Sequence, residues 1–148
     1  MEKLELKIEK LPHCKELPAY QTEGAAGMDI RAAIDAPVTI GSLERKLIPT
    51  GFKIELPHGY EAQIRPRSGM AIKHGITMIN SPGTIDEDYR GEVKIAVVNI
   101  SNEAYTIQPD ERIAQMVIVK VEQPAIIPVL QVSETTRGAG GFGSTGKN

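Results

Sequence analysis

Alternation of apolar and polar residues with a period of two, cut short by proline and glycine, is the feature that most limits how this chain folds. It marks strands at Leu4 to Ile8, Ala26 to Ala32, Leu47 to Leu56 and Tyr60 to Pro66. Further strands are marked at Ile76 to Ile79, Glu92 to Ile100, Tyr105 to Ile107 and Ile113 to Glu122. Breaks fall at Pro57-His58-Gly59, Pro82-Gly83 and Pro109-Asp110. Isoleucine, valine and threonine dominate over leucine, the better helix former. The only helical turns expected are short, at Ser68 to His74 and near Lys10. No helix is long enough to cover a parallel sheet, which excludes a βαβ architecture. The fold class is therefore all-β, a jelly-roll-like β-barrel. At 148 residues there is room for one core. That core is expected over residues 1–132, followed by a flexible glycine-rich C-terminal arm over 133–148.

Charge and cysteine content remove several function classes. Seventeen basic and nineteen acidic residues leave a net charge of -2, so no positive field is available to hold a nucleic acid backbone. Cys14 is the only cysteine, which forbids an intrachain disulfide and suits a reducing compartment. His13, His58 and His74 show no metal-ligand spacing, and Cys14 has no signalled histidine partner for nucleophilic catalysis. No apolar run approaches the roughly 20 residues of a membrane span. The first residues alternate charge with Leu4, Leu6 and Ile8, unlike a signal peptide. A cytoplasmic or otherwise intracellular protein, with neither membrane nor nucleic acid partners, is expected.

The arm contains two misleading motifs. Gly138 to Gly143 matches the letters of a dinucleotide fingerprint but lacks the strand before it and the helix after it. Gly141 to Lys147 resembles a P-loop, yet Asn148 stands where the magnesium-binding hydroxyl belongs. What remains is chemistry. Glycines expose amides to an anion, Arg137, Ser144 and Thr145 add phosphate donors, and Phe142 offers a ring for stacking.

Four interior stretches concentrate polar side chains. In Pro66-Arg67-Ser68-Gly69-Met70-Ala71, Arg67 suits bidentate phosphate contact, and Ser68 with its neighbouring amides suits phosphate oxygens. Asn80 to Glu92 reads as a hairpin whose backbone edge and Asn80 amide suit the edge of a base. Within it Ile85 anchors Asp86, with Asp88 and Glu92 as competing acids; the alternative is a solvated acidic turn paired by Arg90. Asp29, set among small residues from Gly24 to Ile30, either holds a metal-bound water or caps a turn. Gln115 alternates with Ala114 and Met116 and so points out of the core, while Arg112 suits either a ligand or an internal ion pair.

Taken in order, these stretches resemble the five motifs of the trimeric dUTP pyrophosphatase family. They are Ala26 to Ile30, Pro66 to Ala71, Gly83 to Glu92, Glu111 to Gln115, and Arg137 through Gly146. The resemblance implies a homotrimer with sites between subunits, which hydrolyses dUTP to dUMP and pyrophosphate with magnesium. It implies that Asp86 orients and activates the attacking water and that Tyr89 lies beneath the deoxyribose, excluding a 2'-hydroxyl. Asn80 with Gly83, Thr84 and Ile85 would read uracil. Arg67, Ser68, Gly69 and Gln115 would lie on the phosphate side. Asp29 would meet magnesium through water, the metal being held mainly by the triphosphate. The arm would close over a neighbouring subunit's site, with Phe142 over uracil and Arg137, Gly143, Ser144 and Thr145 near the phosphates. Two departures stand out: Asp110 replaces the glycine that opens the fourth motif, and Met70 and Ile30 replace leucines. The competing functions are a dCTP deaminase-like relative and a non-catalytic nucleotide-binding β-barrel.

Overall fold

The computed structural model describes residues 3–147. Strands β1 (Lys7–Lys10), β2 (Met28–Arg31), β3 (Val38–Ile40), β4 (Arg45–Pro49), β5 (Phe52–Glu55) and β6 (Tyr60–Pro66) precede the one helix, α1 (Ser68–His74). Then follow β7 (Ile76–Met78), β8 (Gly83–Ile85), β9 (Lys94–Asn99), β10 (Tyr105–Ile107) and β11 (Arg112–Lys120). The fold is all-β, as the alternation requires, and α1 is the helix expected at that place. No described helix is long and apolar enough to cross a membrane.

Every strand pairing is antiparallel, in sheets ordered β2-β11-β6-β8, β4-β9-β7, β1-β5 and β10-β3. The inward faces meet in one core that includes Ile30, Ile40, Phe52, Ile95, Ile107 and Met116, each at most 1% exposed. Burying a side chain of this size contributes about 1.5–3 kcal/mol. In β2 the buried Met28 and Ile30 alternate with the half-buried Asp29 and Arg31. The core strand thus presents its polar residues on its other face.

Three details depart from the alternation. The long strand expected from Leu47 to Leu56 is two strands, β4 and β5, because Thr50-Gly51 turns the chain. Gly51 has φ +76°, and a Cβ there would stand 2.6–2.8 Å from Cys14. Only glycine satisfies both demands. The stretch from Asn80 to Glu92 is not a self-paired hairpin: β8 pairs with β6 (Ile64 opposite Gly83, Ala62 opposite Ile85), and residues 86–92 form a separate turn. The short β3 follows Pro37 and pairs with the equally short β10. Of this pair, alternation marked Tyr105 to Ile107 but not Val38 to Ile40.

Regular pairing ends at Lys120, and the Val121 amide still donates to the Gly59 carbonyl at 2.8 Å. Beyond it the chain is exposed, including Ile126, Ile127 and Leu130, so the exposed stretch begins before the boundary expected at residue 132. Asp110 keeps the turn that glycine would make: it adopts φ +64°, a region aspartate tolerates better than most side chains. Its carbonyl accepts from Arg31 Nη1 at 3.0 Å, and its amide donates to the Ala32 carbonyl at 2.9 Å.

Candidate active site

β8 is the edge strand of its sheet, so the backbone groups along its outer side have no strand partner. Against it lies a pocket of about 310 Å³ that Leu47, Met78 and Lys94 also line. Asn80, Gly83, Thr84, Ile85, Asp86 and Tyr89 all line it. Buried Ile85 fixes the strand, and the next residue, Asp86, turns out to solvent. Edge amides, a carboxamide, a carboxylate and a phenol thus share one cleft.

The three competing acids separate by their partners and by the pocket they line. Among the described residues, the Asp86 carboxylate has no ion pair or side-chain hydrogen bond. Glu92 also lines the pocket, but its Oε1 accepts the Gly51 amide at 3.0 Å and meets His13 Nε2. Asp88, also without a side-chain partner among the described residues, does not line this pocket but a neighbouring groove that Asp86 borders too, together with Glu61 and Glu87. Of the three, and among the described residues, Asp86 alone both lines the pocket and has a carboxylate without a partner. The turn that carries it is well tied. The Tyr89 amide donates to the Asp86 carbonyl at 3.2 Å, and the Tyr89 hydroxyl donates to the Glu92 carbonyl at 2.9 Å. Glu87 accepts the Gly59 amide at 2.7 Å and faces His58 Nδ1 at 2.9 Å. The Gly59 amide first, and then His58, hold the Glu87 carboxyl below the usual carboxylate range.

A second cluster gathers where β2, β11 and the end of β6 meet. Asp29 lies between two guanidiniums, with Arg67 Nε at 3.6 Å and Arg112 Nη1 at 3.2 Å. Arg67 Nη1 also donates to the Arg112 carbonyl at 3.2 Å. Gln115 Nε2 donates to the Pro66 carbonyl at 3.0 Å, and a Cβ on Gly27 would stand 2.5 Å from its Oε1. Gly27 therefore leaves room for the Gln115 carboxamide. Ser68 and Gly69 are exposed at the start of α1, where a helix leaves its first amides without internal partners. The sequence left open whether Arg112 meets a ligand or an internal acid; it pairs with Asp29. No group of three or more His, Cys, Asp or Glu among the described residues could hold a metal ion. With both oxygens facing guanidiniums, Asp29 is already charge-compensated.

The two clusters stand apart in one chain. Asp86 follows Ile85, which pairs with Ala62 near the start of β6, whereas Arg67 follows its end. Six extended residues separate those levels, about 20 Å at 3.3 Å per residue. The arm joins neither cluster. Its hydrogen bonds are internal turns: Gly140 amide to Arg137 carbonyl at 3.2 Å, Ser144 amide to Gly141 carbonyl at 3.0 Å, and Arg137 Nε to Gly140 carbonyl at 2.8 Å. Phe142 is fully exposed, Gly143 and Thr145 continue the same turns, and Ser144 Oγ lies near Gly140.

One chain thus carries an edge-strand cleft with an unpaired carboxylate and, apart from it, an arginine–glutamine cluster. The dUTPase family model matches residues 14–146, and the chain belongs to the dUTPase family. It is 62% identical over 132 residues to a deoxyuridine 5'-triphosphate nucleotidohydrolase of Fusobacterium nucleatum, covering 89% of this chain and 90% of that protein. It is 58% identical over 144 residues to the protein of that description in Nautilia profundicola, covering 97% and 100%. Among solved structures it resembles the dUTPase of Staphylococcus bacteriophage 80alpha with dUpNHpp, at TM-score 0.87 and 27% identity, covering 97% of this chain and 99% of that one.

Proposed function

We propose that this chain hydrolyses dUTP to dUMP and pyrophosphate, with Asp86 directing a water at the α-phosphorus. The observation that carries this reading is the unpaired Asp86 carboxylate in the same cleft as Asn80, the β8 edge and Tyr89. A carboxylate is too weak a base to make free hydroxide. Its work is to hold the water in line and to accept the proton as the P–O bond forms. Asn80 and the backbone of Gly83, Thr84 and Ile85 supply donors and acceptors to the uracil edge. Tyr89 lies under the sugar, where a 2'-hydroxyl would meet its ring.

Arg67, Ser68, Gly69 and Gln115 compensate the triphosphate charge, and Arg137, Gly143, Ser144 and Thr145 wrap it from the arm while Phe142 covers the base. Asp29 aims Arg67 and Arg112 at that charge. Magnesium enters with the substrate as the metal complex of the triphosphate, with Asp29 reaching it through water. Reacting atoms must stand about 3–3.5 Å apart, and the donor cluster lies about 20 Å from Asp86 along one chain. A second copy must therefore bring its donors to the first copy's Asp86. The exposed apolar run Ile126 to Leu130 gives the arm a reason to dock on a neighbour. A homotrimer with sites between subunits and a lid from residues 133–148 satisfies these demands.

One assay tests the reading: pyrophosphate and ammonia release from dUTP, dCTP, dTTP and UTP, with and without magnesium. Selective, magnesium-dependent pyrophosphate release from dUTP is expected. Ammonia from dCTP would assign the chain to the deaminases instead, and binding without turnover would make it a nucleotide-binding module.

A further inference from the structure

Glu92 lines the pocket, yet its carboxylate is held by two groups from distant parts of the chain. These are the Gly51 amide at 3.0 Å and His13 Nε2. The Glu92 side chain is 17% exposed and that of His13 36%. The two holders are themselves joined. The Leu11 amide donates to the Gly51 carbonyl at 2.8 Å, and the Cys14 amide donates to the Leu11 carbonyl at 3.1 Å, closing the turn that carries His13. The backbone beside Glu92 is pinned as well, with the Val93 amide on the Phe52 carbonyl at 2.9 Å and Thr50 Oγ1 on the Val93 carbonyl at 2.5 Å. On its other side, the Glu92 carbonyl accepts the Tyr89 hydroxyl.

We propose that the His13–Glu92–Gly51 clamp is a positioning device that fixes Tyr89 and thereby sets discrimination between deoxyribo- and ribonucleoside triphosphates. It rests on the placement of Tyr89 under the sugar given above. The Tyr89 ring is 45% exposed, so core packing alone does not hold it. Its tip is held by the Glu92 carbonyl, and that carbonyl is only as still as the Glu92 side chain and the Val93 ladder make it. Excluding one hydroxyl takes a wall that does not yield. Steric rejection of a small added group is worth roughly 10- to 200-fold, and a shift of part of an ångström erodes it. Glu92 and His13 touch no reacting atom in this scheme. They act through Tyr89.

The test measures kcat and KM for dUTP and for UTP in the full chain, in His13→Ala, in His13→Gln and in Glu92→Gln. His13→Ala is expected to raise the UTP-to-dUTP ratio of kcat/KM about tenfold. It should leave kcat for dUTP within about threefold of the parent, because no transition-state contact is removed. His13→Gln retains an amide donor and is expected to restore most of the ratio. Glu92→Gln keeps an acceptor for Gly51 but loses the charge, and should give an intermediate rise. An unchanged ratio in both His13→Ala and Glu92→Gln overturns the proposal, as does an equal loss of kcat/KM for both nucleotides. Should His13→Ala fail to fold, the ratio in Glu92→Gln decides alone. A parent chain that cleaves UTP as readily as dUTP overturns the Tyr89 placement itself, an outcome separate from a parent that discriminates while its variants do so equally.

Discussion

The turn from Asp86 to Val93 and the arm from 121 to 147 are both largely irregular, and both carry motif residues, yet they are built in opposite ways. Residues distant in sequence hold the turn: Gly51 and His13 at Glu92, Gly59 and His58 at Glu87, and Phe52 at Val93. Past Val121 the arm's hydrogen bonds reach only three residues along the chain. An acid that must aim a water benefits from a backbone fixed before substrate arrives. In the lid role proposed for it, the arm is better left uncommitted until phosphate and base supply its contacts. On that proposal the difference is one of where the ordering entropy is met: during folding for the turn, on binding for the arm.

The sharpest way to break the comparison is at its fixed end. Asp86→Asn should keep nucleotide affinity by calorimetry while turnover falls about 10²- to 10⁴-fold, the usual share of a general base. Unchanged turnover would remove Asp86 from the chemistry. Truncation after Val132 probes the mobile end. Circular dichroism and sedimentation should match the full chain, while kcat/KM falls about 10²-fold or more through lost phosphate donors. If the truncated chain unfolds, the arm is part of the fold and the contrast fails.

Smaller effects sharpen the picture. Gly51→Ala forces a side chain into φ +76° and against Cys14. It should cost about 1–3 kcal/mol and lower the melting temperature by several degrees. Tyr105 supplies a pH test away from the site. Burial first, and then its hydrogen bond to Glu111 Oε1, push its phenol from 10.0 up to about 12. A group raised in the folded state stabilises fully below its unfolded value, and that contribution is lost as pH rises through about 12. Denaturant titrations of Tyr105→Phe should therefore show a flatter loss of stability across that alkaline window than the parent. The smallest effect belongs to Asp110→Gly. It relieves φ +64° but gives up the Arg31 pair at 3.6 Å and frees the unfolded chain. Chemical unfolding should place it within about 1 kcal/mol of the parent.

Local pattern alone determined much of this protein. Alternation located Tyr60 to Pro66 and Tyr105 to Ile107, and Ser68 to His74 declared its short helix, because side-chain period and turn residues act within a few positions. The order of motifs declared the family, and that resemblance made Asp86, Arg67 and Gln115 the candidates. Tertiary structure decided the rest. Whether Glu92 stays free beside Asp86 in the pocket depends on Gly51 and His13, neither of which is near in sequence. Whether Asp29 faces a cation from solution or two arginines depends on β2 lying beside β11 and close to the end of β6. The break inside the expected Leu47 to Leu56 strand, and the pairing of β8 with β6 instead of with its own return, are also long-range outcomes. Alternation reports which face of a strand is buried, but not which strand it meets. Partnership is set by contacts between residues dozens of positions apart, and those exist only once the chain has folded.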